Sequence, residues 1–68
     1  MDEPRVDDLV ELTRDVPELS LFRGKKGVIR STWFIPTTAY EVEFEVTDPH
    51  QAGRALLLPE QIARSQKQ

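Results

Sequence analysis

The run Tyr40-Glu41-Val42-Glu43-Phe44-Glu45-Val46 alternates apolar and acidic residues without a break. Successive side chains of a strand point to opposite faces, so this period predicts a strand with one dry face and one wet face. Tyr40, Val42, Phe44 and Val46 are assigned to the core. Glu41, Glu43 and Glu45 are assigned to solvent, paired with Arg30 or Arg54 across the sheet. Residues 8–13 read as a first strand with Val10 and Leu12 inward and Leu9 over an edge. Residues 27–33, rich in β-branched side chains, form a second. Residues 54–58 form a fourth beside the third, and residues 63–65 a short fifth near the first.

The connections carry their own signals. Pro17 lacks a ladder donor and ends the first strand, and Leu19, Leu21 and Phe22 anchor the long segment that follows. Arg23-Gly24-Lys25-Lys26-Gly27 is a turn whose glycines supply positive φ or a bulge. Residues 34–38 contain no Asn-Gly or Asp-Gly, so they predict a longer loop with Pro36 at its first corner rather than a tight primed turn. Asp48-Pro49 opens another turn that Gly53 closes. Residues 59–62 suit a single helical turn with Pro59 at its first position. The sum is an all-β fold: a small SH3-like barrel of four or five strands with one short helical turn near the C-terminus. The barrel occupies residues 8–65, with a flexible lead-in at 1–7 and a frayed end at 66–68.

Composition narrows the function. A chain of 68 residues is one domain with a small core, burying only ~60% of the surface its unfolded form exposes. There is no cysteine, which excludes disulfides and Cys-based metal sites and fits a reducing interior. The acidic start has no apolar stretch of the signal-peptide kind, and the run Ala55-Leu56-Leu57-Leu58 is far too short to span a bilayer, so the expected address is cytoplasmic, with no membrane partner. The net charge of −3 argues against phosphate-driven nucleic-acid binding as the main activity. Charge is nonetheless segregated: seven of the twelve acids lie in residues 1–18, while Arg23, Lys25, Lys26 and Arg30 follow as a basic patch.

The spaced series Leu12-Thr13-Arg14-Asp15-Val16-Pro17-Glu18, Leu21, Gly24-Lys25-Lys26-Gly27-Val28-Ile29, Ala39-Tyr40-Glu41-Val42-Glu43-Phe44 and Leu58-Pro59-Glu60-Gln61-Ile62 resembles a family of small uncharacterised bacterial proteins. That family is a domain of unknown function for which the resemblance implies an SH3-like barrel. The segment from Gly24 to Ile29 is also similar to the glycine turn of KOW-type barrels in ribosomal and transcription proteins. More loosely, it is similar to small barrel subunits of ferredoxin-dependent photosynthetic complexes. Two places depart from the pattern: Trp33-Phe34-Ile35-Pro36-Thr37-Thr38 stands where a polar, glycine-containing turn is expected, and no proline closes the strand after Ile62. The family has no assigned activity, so the resemblance implies no catalytic or binding residue.

Weighed on their own, the chemistry-bearing residues favour a binding module over an enzyme. His50 is the only histidine and reads as a turn residue, so no metal or cofactor is expected. Glu41, Glu43 and Glu45 sit at strand spacing, but catalysis would need a pocket that drives their pKa values apart, and a small filled barrel has little room for one. Gly24 to Gly27 lacks the Gly-Lys-Ser/Thr helix start of a phosphate loop. Trp33-Phe34-Ile35 is the sharpest feature: on an alternating strand at least one of the three must lie near the surface. In one reading Trp33 and Ile35 complete the core and Phe34 covers an edge. In the other, the hairpin is an aromatic anchor for a protein partner or a second copy, with Arg23, Lys25 and Lys26 beside it. A KOW-like contact with RNA or the ribosome through the basic turn is the alternative.

Overall fold

A computed structural model describes residues 3–65; residues 66–68, expected to fray, lie outside the described residues. Five strands form one antiparallel sheet: β1 (Leu9–Leu12), β2 (Lys26–Trp33), β3 (Ala39–Phe44), β4 (Arg54–Leu57) and β5 (Ile62–Arg64). Their spatial order is β4-β3-β2-β1-β5. Short 3₁₀ turns lie at Pro17–Leu19 and Pro59–Gln61. The expected helical turn is thus present, with Pro59 at its start.

The two edge strands are consecutive in sequence and joined only by residues 58–61, three of them in the 3₁₀ turn. A flat sheet of this size would hold its edges ~19 Å apart, at ~4.8 Å per strand. A tight turn does not span that gap, so the sheet curls and brings its first and last strands together. Every strand then feeds one core: Val10 and Leu12 from β1, Ile29 from β2, Tyr40, Val42 and Phe44 from β3, Leu57 from β4 and Ile62 from β5. Val16 and Leu21, linked by an isolated bridge, close one end. Gly27 is the tight spot. A Cβ there would lie 2.7 Å from Val42 Cγ1 and 2.8 Å from both the Glu43 carbonyl oxygen and Phe44 Cδ1. Gly24, by contrast, serves the turn, with φ +92 and open space around it.

Several expectations need correction. The dry face of β3 ends at Phe44, and Val46 is exposed because the strand stops there; its side chain rests near Gly53 instead. Phe22 is exposed as well: Leu21 turns inward at its bridge with Val16, so the next residue faces water. The fourth strand stops at Leu57, and the fifth starts one residue earlier than expected, at Ile62.

The largest correction concerns the phase of β2. Ile29 pairs with Val42 but Ser31 pairs with Glu41, so Arg30 is an extra residue, a β-bulge. Before it, Gly27 and Ile29 face the core. After it the phase inverts: Thr32 lies opposite the inward Tyr40, and Trp33 lies opposite Ala39 on the outer face. Strict alternation would have sent Trp33 inward.

Gly27→Ala should lower stability by about 2 kcal/mol, since its nearest obstacles include a fixed backbone carbonyl. Gly24→Ala should cost about 1 kcal/mol, from backbone conformation alone. Urea denaturation of both variants checks the order; equal losses would mean that the contacts at Gly27 relax freely.

Candidate functional site

The hairpin joining β2 to β3 collects the exposed apolar surface. Trp33, Phe34 and Ile35 are 53%, 70% and 85% exposed, so the reading in which Trp33 and Ile35 complete the core is overturned. The bulge at Arg30 accounts for Trp33, and Ile35 lies beyond the last paired residue of the strand. The three do not share one direction. Trp33 stands on the outer face beside Ala39, and Leu58, one position past the Tyr40–Leu57 pair, flanks Ala39 from the other side. Leu56 lies on the same face opposite Glu41. Phe34 instead lines an open cavity of about 530 Å³ with Thr32 and Tyr40, whose far wall is formed by residues 3–6. The Ile35–Pro36 peptide of the hairpin is cis.

Residues 3–7 are held in place by polar contacts. The Asp8 carboxylate accepts hydrogen bonds from the Arg5 backbone N–H (2.8 Å) and from Arg64 Nη2 (3.0 Å). Arg64 Nη2 also donates to the Glu3 carbonyl (3.2 Å). The Asp7 N–H donates to the Ile29 carbonyl next to the bulge.

The outer face of β2, β3 and β4 carries a charge network. Arg30 Nε donates to Glu43 Oε1 (2.8 Å), and its Nη1 lies 3.4 Å from Asp7 Oδ1. Arg54 Nη1 donates to Glu41 Oε2 (3.1 Å), and its Nη2 lies 3.6 Å from Glu43 Oε1. Ser31 Oγ donates to the other Glu41 oxygen (2.8 Å). Both glutamates thus pair with arginines across the strands as expected. The Ser31 hydroxyl, then Arg54, hold the Glu41 carboxyl below the usual range. Arg30, then Arg54, do the same for Glu43. The Asp8 carboxyl is lowered first by the Arg5 N–H and then by Arg64. Arg30 in turn is raised by its bond to Glu43.

That network removes Arg30 from the basic patch. Arg23, Lys25 and Lys26 form no ion pair among the described residues. Asp15 Oδ1 accepts the backbone N–H of Arg23 (2.9 Å), and the turn lies against the end of β1 through the Gly24 N–H and the Leu12 carbonyl. The basic turn and the apolar hairpin are not neighbours. They occupy opposite ends of β2, Lys26 at one and Trp33 at the other. At ~3.3 Å per residue the separation is roughly 20 Å. His50 lies in a turn where its backbone N–H donates to Asp48 Oδ1 (2.8 Å). Among the described residues no group of three His, Cys, Asp or Glu is placed to hold a metal ion. Among the described residues no helix is long and apolar enough to cross a membrane.

A family model for a domain of unknown function, DUF4926, matches residues 7–61. The chain belongs to this family. No curated protein and no solved structure matches it. In this DUF4926 chain the matched stretch runs from the lead-in contact at Asp7 to the last residue of the second 3₁₀ turn. It therefore contains both the hairpin and the basic turn. Leu56 and Leu58 had no functional signal in the sequence; only the pairing of β3 with β4 places them beside Trp33.

A carboxylate depressed in the folded state adds stability that is complete above its unfolded pKa and is lost as pH falls through its folded pKa. Glu41, Glu43 and Asp8 are all depressed. Stability should therefore hold from neutrality down to the ordinary carboxylate range and decline below it. Glu43→Gln should shrink that acid-side decline, as read from thermal midpoints across a pH series. An unchanged slope would show that the network adds nothing to the pH dependence.

Proposed function

We propose that this protein is a non-enzymatic interaction module of SH3-like type, working in a bacterial cytoplasm and docking on a partner protein through the Trp33 to Thr38 hairpin. The observation that carries the reading is three consecutive large apolar side chains exposed at one end of a very small domain. Burying such side chains at a contact is worth ~1.5–3 kcal/mol each, enough to anchor a complex. The strand order, with a 3₁₀ turn between the last two strands, supports the SH3-like assignment. The lack of cysteine suits a reducing interior. Glu41 and Glu43, the obvious acid–base candidates, are already held by Ser31, Arg30 and Arg54, which favours a structural role for them.

The contact differs from the one expected of the sequence. Arg23, Lys25 and Lys26 lie far from Trp33, so they act on a hairpin-bound partner through the long-range field, steering an acidic protein rather than touching it. Their freedom from ion pairs among the described residues favours a second reading, an RNA or ribosome contact at the basic turn. Salt separates the two: phosphate binding weakens steeply as salt rises, an apolar dock much less.

Affinity capture from native lysate, with and without nuclease, tests the proposal beside the double variant Trp33→Ala, Phe34→Ala. A partner should survive nuclease and be lost from the variant, with affinity reduced at least about tenfold. The variant's thermal midpoint should barely move, since both side chains are exposed. Retention that depends on RNA and ignores the double variant would transfer the function to the basic turn.

A further inference from the structure

We infer that the cavity between residues 3–6 and the hairpin is a slot for an extended peptide segment of a partner protein, which adds to the edge of β2 at Thr32. The inference deepens the docking reading and rests on it for the kind of partner; it names what that partner lays beside Phe34. β2 pairs with β3 from Gly27 to Trp33, but with β1 only from Lys26 to Val28. The next contact on the β1 side is a second bulge. The Ile29 N–H donates to the Asp8 carbonyl while the Ile29 carbonyl accepts the Asp7 N–H, so two residues face one. Asp7 is in the left-handed region, with φ 75, and the Asp8 N–H returns to the Arg5 carbonyl. That turn carries residues 3–6 away from β2 and leaves its edge bare. Backbone groups alternate in direction along an antiparallel strand. Since the Phe44 N–H donates to the Gly53 carbonyl, Glu41 and Ala39 direct their groups the other way, to Ser31 and Trp33. Thr32, between those two, points its N–H and carbonyl away from β3, where neither has a partner among the described residues.

The space matches the occupant. The cavity of about 530 Å³ holds about three residues of strand, each taking ~160 Å³ from ~3.3 Å along the strand, ~4.8 Å across it and ~10 Å between layers. Residues 3–6 do not pair there themselves: Pro4 has no N–H, the Arg5 N–H is held by Asp8 and the Glu3 carbonyl by Arg64. In a strand added at this edge, the residue opposite Thr32 shares its face, so its side chain enters the cavity beside Tyr40 and Phe34. Tyr40 is only 4% exposed, yet its hydroxyl makes no hydrogen bond among the described residues. No sealed side-chain oxygen or nitrogen among them lacks a partner, so that hydroxyl is reached through the cavity it lines. Phe34, Pro4 and Val6 add apolar walls. The segment that fits therefore presents, opposite Thr32, a side chain with an apolar body and a hydrogen-bonding tip. The backbone pair at Thr32 is what selects a peptide, because a donor and an acceptor side by side match another strand.

A random heptapeptide library displayed against the full chain supplies the probe. At saturation the best binder, made synthetically, should slow amide exchange at Thr32 roughly tenfold by NMR. Scanning N-methylation along its backbone should find a position where losing the N–H weakens binding about tenfold. Tyr40→Phe should weaken it about fivefold, by removing the hydroxyl alone. Thr32→Pro deletes the edge donor without touching a bond to β3 and should abolish binding. If that variant does not fold, the methylated peptides and the wild-type Thr32 amide decide. A library that yields no binder overturns the inference, as does a binder that leaves Thr32 unprotected or ignores N-methylation everywhere. Failure of the docking reading looks different. A lysate partner lost from the Trp33→Ala, Phe34→Ala variant but kept by Thr32→Pro sinks the slot alone. Peptides that pair at Thr32, beside a lysate partner that ignores the double variant, sink the docking reading alone.

Discussion

The short connection between the two edges of the sheet is the constraint on which the rest of the molecule depends. Residues 58–61 must carry the chain from one edge to the other, and that is feasible only if the sheet is rolled. Rolling in turn lets strands of three to eight residues share one core, with no helix needed to cover a face. It also brings the strands into close approach, which is why Gly27 sits where Val42, Phe44 and the Glu43 carbonyl leave no room for a side chain. Pro59 and Gln61 secure the connection, the first by preset backbone geometry and the second by accepting the Leu58 N–H.

The parts of this fold that are legible in the sequence depend on short-range pattern. Tyr40 to Phe44 reads as a strand from its alternation alone, and Val10 and Leu12 from theirs. Pro59 announces the 3₁₀ turn, and Asp48-Pro49 the turn whose Asp48 carboxylate holds the His50 N–H. Val46 departs from the pattern because alternation continues after the strand has lost its partner. Phe22 departs from it as well, because the inward turn of Leu21 depends on a pairing with Val16 that no periodicity encodes. Arg30 is the most instructive case: a bulge there has no glycine or proline to mark it, yet it decides which way Trp33 faces.

The candidate site shows the same division. That Trp33-Phe34-Ile35 contains surface residues follows from sequence, since a strand has only one dry face. That all three are exposed, and that Leu56 and Leu58 join Trp33 on the outer face, required the register of β2, β3 and β4. Closeness along the chain misled in the opposite direction. The basic residues and the hairpin are joined by one strand, and a strand separates its ends more efficiently than any other element. Arg30 belongs with neither, because Glu43 and Asp7 claim it.

The bulge has a further consequence for how such a surface arises. In a strand of fixed phase, moving a tryptophan from interior to exterior takes coordinated replacement of several residues. Here one additional residue, Arg30, transposes everything from Ser31 to the hairpin between the two faces while leaving Gly27 and Ile29 in place. A single-codon insertion or deletion at this point would recast the hairpin end of the domain in one step, with the opposite half of the strand undisturbed. Small barrels of this kind can therefore acquire or abandon an exposed apolar face through changes in length, a route that comparison of aligned substitutions alone would overlook.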